Sequence, residues 1–319
     1  MNAIVVEKAG GPEVLQIKQV DTPVCEPGTI LVKVHAAGIN PVDTYLRSGD
    51  YPIAKFPFTP GFDAAGVIES ISPNVKGFRL GDRVYTGFNI SGAYAEYVLC
   101  HDHQVYALPD RVEFPEGACI NVPYATAYKA LYLKGHAKPG EYVLVHGGSG
   151  GVGVAAIQLA RAGGFTVIAT AGTDQGLNLI NQCGAHHAFN HNSPSYVNDI
   201  KSLTADRGID VILEMLANVN LEKDLGLLGM NGRVVVIGNR GRVEIDPRLT
   251  MGKELSITGM ALFNASSSEL RSIHSALKAG FDNGSLKPVI GHQLPLAEAA
   301  RGHELVMKPG SYGKIVLKI

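Results

Sequence analysis

Tryptophan is absent from this chain, and cysteine is scarce, with four among 319 residues. Cys25, Cys100, Cys119 and Cys183 lie far apart and form no C-x-x-C pair, which leaves neither a disulfide framework nor a clustered-cysteine zinc lobe. They read as free thiols of a reducing compartment. An excess of one charge is also missing: Lys and Arg total 28, Asp and Glu 29, and the formal net charge is −1. That balance argues against a general electrostatic attachment to nucleic acid or to an anionic membrane. No uninterrupted apolar run is long enough to span a bilayer. The opening Met1-Asn2-Ala3-Ile4-Val5-Val6-Glu7 lacks the basic segment and cleavage site of a secretion signal and reads as a strand, so the expected location is the cytoplasm.

Hydrophobic residues make up 45% and charged residues 18%, an ordinary globular balance, and 319 residues favour two domains over one. The first third carries short β-branched runs between Gly and Pro turns. Ile30–Ala36, Gly66–Ser70 and Asp82–Tyr85 read as strands, with turns at Glu26-Pro27-Gly28, Thr59-Pro60-Gly61 and Ser72-Pro73-Asn74. The texture changes near Pro123. A helical segment at Ala125–Leu131 is followed by strands at Tyr142–His146, Thr166–Thr170, Val211–Leu213, Arg233–Ile237 and Leu255–Thr258, alternating with amphipathic helical patterns. Such alternation predicts a parallel sheet with right-handed crossovers. A helical stretch at Ser267–Ala279 and a last strand at Lys314–Ile319 close the chain.

Within the second part, Tyr142-Val143-Leu144-Val145-His146 runs into glycines spaced G-x-G-x-x-G at Gly148, Gly150 and Gly153, and an apolar helical pattern follows. Strand, glycine turn and helix in that order suit a dinucleotide pyrophosphate. Glycines let the backbone approach the phosphates, and a helix N-terminus offers free N–H groups and partial positive charge. An NAD site places a carboxylate at the end of the second strand for the ribose 2′-OH. Here that end reads Thr170-Ala171-Gly172-Thr173, without one, although Asp174 follows closely. The reading favours NADPH, with His191 and nearby backbone N–H groups assisting at the 2′-phosphate.

The run from Gly140-Glu141 through Gly148-Ser149-Gly150-Gly151 and Gly153 to Gln158 and Arg161 resembles the signature of the quinone oxidoreductase/ζ-crystallin branch of the medium-chain dehydrogenase/reductase family. Gly38–Tyr45, Thr59–Gly66, Ser91–Tyr97, Phe189-Asn190-His191 and Glu214–Asn220 agree with it, so the resemblance covers nearly the whole chain. It implies an α/β chain: a GroES-like, mainly β domain over 1–122 with 262–319, and a doubly wound Rossmann domain over 123–261. It implies NADPH-dependent reduction of quinones in an interdomain cleft, in a homodimer or homotetramer. Carried over by position, Asn40 and Tyr45 lie near the nicotinamide, whose C4 is expected to face a flat cleft bordered by Asn40, Tyr45, Tyr51 and Thr126. Ser149, Gly150, Gly151 and Val152 contact the pyrophosphate. Gly172 and His191 lie on the adenosine side, and Asn220 with Ile237, Gly238, Asn239 and Arg240 lines the remainder. Some bacterial relatives carry a Lys that pairs with the 2′-phosphate where this chain has Gly176.

Zinc alcohol dehydrogenases of the same superfamily use a Cys in the segment matching Gly38–Asp43 and a His-Glu pair after the Pro-Gly turn. This chain has Asn40-Pro41 and Phe62-Asp63 there, a donor set poor for Zn²⁺, so no metal is expected. A quinone accepts hydride readily because its product is aromatic, which lessens the need for a Lewis acid. Asn40, Tyr45 and Tyr51 are the candidate catalytic residues, with Tyr45 ranked higher as a cofactor contact than as an acid. Asp43 reads as a helix cap, while Lys314 and Glu214 divide evenly between cofactor and structural roles. A reductase of α,β-unsaturated carbonyls is the alternative, but it needs a firm proton donor that no residue clearly marks. A structural or AU-rich-RNA-binding role, known among ζ-crystallin relatives, ranks last, because the chain has neither a basic balance nor an aromatic RNA-reading motif.

Overall fold

A computed structural model describes residues 1–51, 55–205, 207–310 and 312–319. Backbone packing divides it into two units: Met1–Val122 with Lys278–Lys308 and Gly313–Ile319, and Pro123–Leu277 with Pro309–Tyr312. The second crossing falls inside the helix Ser267–Asp282, later than the expected return at 262.

The second unit is built on six parallel strands: β1 (Tyr142–Val145), β2 (Thr166–Ala171), β3 (His187–Asn190), β4 (Ile209–Glu214), β5 (Leu228–Val236) and β6 (Ser256–Gly259). Their order across the sheet is β3-β2-β1-β4-β5-β6, that of the doubly wound dinucleotide-binding fold. Central strands covered on both faces need continuous apolar runs. Val143, Leu144 and Val145 are accordingly buried, as are Val211, Ile212 and Leu213 beside them. The crossovers are helices α1 (Gly151–Ala162), α2 (Asp174–Gln182), α3 (Tyr196–Leu203) and α4 (Ala217–Leu227). Each returns the chain to the same end of the sheet, so the loops after β1, β2, β3, β4 and β5 gather at the strands' carboxyl edge.

In the first unit a sheet runs in the order Ile290–Pro295, Lys314–Lys318, Thr29–Ile39, Asp63–Ile71, Arg83–Thr86, Val105–Ala107, and Tyr97–His101 also pairs with Thr29–Ile39. The final strand lies antiparallel to Thr29–Ile39, with Ile315 opposite Ile39 and Leu317 opposite Ala37. The inward faces share a core of Ile30, Val32, Val34, Ile68, Val84, Val98, Ile315 and Leu317. Among the described residues no helix is long and apolar enough to cross a membrane.

Candidate functional site

The glycine turn is held by its own backbone. Gly147 takes a left-handed φ of 59°. The N–H of Gly148 donates to Thr170 O at 2.8 Å, and that of Gly150 donates to Gly147 O at 3.1 Å. A Cβ on Gly153 would stand 2.3 Å from Gly147 O and 2.6 Å from Gly148 Cα, so only glycine lets the helix pack this close to the turn. Helix α1 then begins at Gly151, with no side chain capping it. Its first N–H groups, those of Gly151 and Val152 among them, have no partner within the helix, the arrangement that suits an anion. Ser149 is buried beside Gly176, whose Cβ would approach Ser149 Oγ to 3.2 Å and Ala171 Cβ to 3.0 Å. That crowding accounts for glycine at position 176.

At the end of β2, Gly172 presses against His191: a Cβ there would lie 2.6 Å from His191 Nε2. Asn192 Nδ2 donates to Gly172 O at 2.9 Å, and His191 N–H to Ala171 O at 3.1 Å. Burial, with His146 and Lys223 nearby, lowers the basicity of His191. Thr173 caps α2 by accepting from Gly176 N–H at 3.0 Å, and Asp174 is the exposed first residue of that helix. Past β4, Asn220 Nδ2 donates to Glu214 Oε1 at 3.2 Å. Past β5, the N–H groups of Ile237 and Gly238 both donate to Glu214 O. The N–H of Arg240 donates to Asn218 Oδ1, and Asn239 Nδ2 to Gly241 O. Ser149 to Val152, Gly172, His191, Asn220 and Ile237 to Arg240 thus all lie in loops or first turns beyond the carboxyl ends of these strands. Thr126 is buried in the helical segment after Pro123, which packs against α1.

The first unit holds the other sequence candidates. Asn40 caps the helix Pro41–Ser48 and its N–H donates to Asp43 Oδ2 at 2.8 Å, so Asp43 does act as a cap partner. Tyr94 O–H also donates to Asp43 Oδ2, at 2.9 Å. Burial raises the Asp43 carboxyl to about 7. His303 lies between Tyr94 and Arg47, and burial beside that guanidinium lowers it to about 3. Asn40 Nδ2 donates to Asp63 Oδ2 at 3.0 Å, while its Oδ1 accepts from Lys314 Nζ. Lys314 Nζ lies 3.3 Å from Asp63 Oδ2. Both atoms of the Asn40 amide are therefore oriented from within, and Lys314 is a buried ion-pair partner rather than a solvated strand end. Tyr45 and Tyr51 stack with ring centroids 6.0 Å apart, Tyr51 being exposed.

Sequence reasoning missed Asp63 and Asp224, and met His146 only as part of the glycine run. Their partners are remote in sequence, so no local pattern marks them. The Asn40 network also bears on zinc. An amide, a carboxylate and a lysine ammonium stand together there; the ammonium brings like charge and no lone pair, so these residues do not fit a zinc ion.

Residues 26–110 match the family model described as alcohol dehydrogenase GroES-like domain, and residues 151–278 the one described as zinc-binding dehydrogenase. The chain is 50% identical to human quinone oxidoreductase over 320 residues, covering 99% of this chain and 97% of that protein. A crystal structure of Escherichia coli quinone oxidoreductase complexed with NADPH superposes with a TM-score of 0.92 at 29% identity, over 100% of each chain. A structure of an NAD-dependent alcohol dehydrogenase superposes with a TM-score of 0.93 at 30% identity, again over 100% of each chain. Together with the GroES-like and dinucleotide-binding units described above, these likenesses mean that the chain belongs to the quinone oxidoreductase branch of the medium-chain dehydrogenase/reductase family.

Proposed function

We propose that the protein reduces quinones with NADPH held on the carboxyl edge of the second unit's sheet. The 50% identity to human quinone oxidoreductase, sustained along almost the entire chain, is the observation that carries this reading. When bound, NADPH supplies the hydride. In this reading the N–H groups at Gly151 and Val152, with Ser149 and Gly150, hold its pyrophosphate. Ala171, Gly172 and Thr173 bring no carboxylate to the ribose, so a 2′-phosphate meets no like charge there. Gly172 and His191 hold the adenosine side, and the phosphate's own charge draws a proton onto His191. Asn220 and Ile237 to Arg240 line the rest, while Asn40, Tyr45 and Thr126 serve the nicotinamide end.

Tyr45 and Tyr51 offer stacked aromatic faces suited to a flat partner. Lys314 and Asp63 hold the Asn40 amide in one orientation, so a carbonyl oxygen meeting it encounters a fixed donor instead of a rotating one. The outer edge of β6 has no strand partner among the described residues, and Ile257 on it is 40% exposed. That edge supports pairing between copies of the chain in a homo-oligomer. The test is a screen of NADPH and NADH oxidation against ortho-quinones, para-quinones and enones, with electron spin resonance to detect semiquinone radicals. Quinone turnover with NADPH binding at least about tenfold tighter than NADH is expected. Turnover of enones alone, or tighter NADH binding, sinks the reading.

A further inference from the structure

Directly beneath the glycine turn lies a second polar group of side chains to which the reaction assigns no task. His146 follows β1, Glu214 ends β4 and Asp224 lies on α4; all three are buried, with exposures of 3%, 0% and 0%. One ligand atom from each lies within 4.8 Å of the other two. His146 Nε2 is 2.9 Å from Asp224 Oδ1 and 3.8 Å from Glu214 Oε2, and its Nδ1 meets Thr170 Oγ1 at 3.2 Å. Glu214 Oε1 accepts from Leu216 N–H and from Asn220 Nδ2. The other two oxygens, Glu214 Oε2 and Asp224 Oδ2, are buried without a hydrogen-bond partner among the described residues.

Two dry carboxylates with an unpartnered oxygen each are costly. A proton held between them satisfies both, as in other closely spaced carboxyl pairs. Burial raises Glu214 and Asp224 each to about 7, so the carboxyl pair retains a proton near neutrality, while burial lowers His146 and keeps its imidazole neutral. Lys223 on α4, Tyr196 on α3 and His191 after β3 are the other titratable side chains acting on it.

The location gives this group a task. It sits at the ends of β1, β2 and β4, where the strand order reverses and ligands of such sheets bind. Each member leads to a separate piece of the cofactor edge. His146 is bonded to Gly147, and Thr170 also receives the N–H of Gly148. Glu214 holds both Asn220 and the turn at Leu216.

We propose that His146, Glu214 and Asp224 share protons as one unit that positions Asn220 and the Leu216 turn, so that affinity for the cofactor falls when the unit loses its shared proton. The role rests on the NADPH reading above. Loss of the proton sets two carboxylates against each other, which draws Glu214 away from Leu216 and Asn220. It also adds a negative charge below the turn that holds an anionic pyrophosphate.

Two measurements test this, one of them without cofactor. Infrared spectra of the unliganded protein at about pH 7 are expected to show a protonated-carboxyl band that Asp224→Asn and Glu214→Gln each diminish, the remainder belonging to Asp43. No such band in the wild type, or one untouched by both variants, overturns the shared proton, as does one divalent ion per chain by elemental analysis. Fluorescence titration is then expected to show the NADPH dissociation constant rising roughly fivefold to tenfold between about pH 6 and about pH 8. Asp224→Asn, or Glu214→Gln should the first fail to fold, flattens that rise to below about twofold. Because His191 and the cofactor phosphate titrate in both proteins, equal slopes in wild type and variant overturn the positioning role. A wild type that shows the band yet binds no NADPH overturns the cofactor reading, and the positioning role with it, while the shared proton stands.

Discussion

Lys314 shows how much a single side chain can hold in place. Its ammonium donates to Asn40 Oδ1 and lies 3.3 Å from a carboxylate oxygen of Asp63, with all three residues buried. Removing one member of a buried pair strands the other's charge, so Lys314→Met is expected to cost about 3–5 kcal/mol in denaturant unfolding. Adding Asp63→Asn is expected to recover a large part of that loss, because the stranded carboxylate disappears; an additive double variant refutes the pairing. None of this was legible in the sequence. Asp63 and Lys314 are 251 positions apart, and no local spacing joins them. The Asn40–Asp43 cap was legible because its partners are three residues apart and cap chemistry is local. Glu214 looked ambiguous for a related reason: its neighbours His146 and Asp224 come from different elements of the sheet.

Among the elements, the start of α2 carries the cofactor choice in the proposed reading. Thr173 caps that helix, and in that reading a carboxylate in its place would favour NADH. Aspartate is as good a cap as threonine. Thr173→Asp is therefore expected to keep the melting temperature within a few degrees while weakening NADPH at least about tenfold and NADH little, read by parallel fluorescence titrations. Unchanged preference would remove this turn from the phosphate site. The apolar strands β1, β2 and β4 were readable from their continuous Val, Ile and Leu runs. Strand β3, His187–Asn190, was not, since it is short, half-buried and contains two polar residues of four. Strand β5 begins at Leu228, ahead of the expected Arg233, through a stretch where Asn231 takes a φ of 58° and breaks the β pattern.

For the molecule as a whole, the open edge at β6 sets the expectation of assembly. Ile257→Lys places a charge on that edge. It is expected to turn a sedimenting homodimer or tetramer into smaller species while NADPH binding is retained; an unchanged sedimentation coefficient argues for another interface. The two-part organisation was visible in the sequence as a change from Gly/Pro-punctuated strands to strands alternating with helices near Pro123. The return crossing was harder to place, because a single continuous helix, Ser267–Asp282, carries it and helical periodicity does not change at Leu277. The pairing of the closing strand with Thr29–Ile39 has a consequence for biosynthesis. As the chain leaves the ribosome, the dinucleotide-binding sheet has all its strands while residues 36–39 still await their neighbour. The first unit, although translated first, finishes folding last. Its unpaired strand edge must be kept from other chains in the meantime, so the yield of active protein is expected to follow how fast Lys314–Lys318 is delivered.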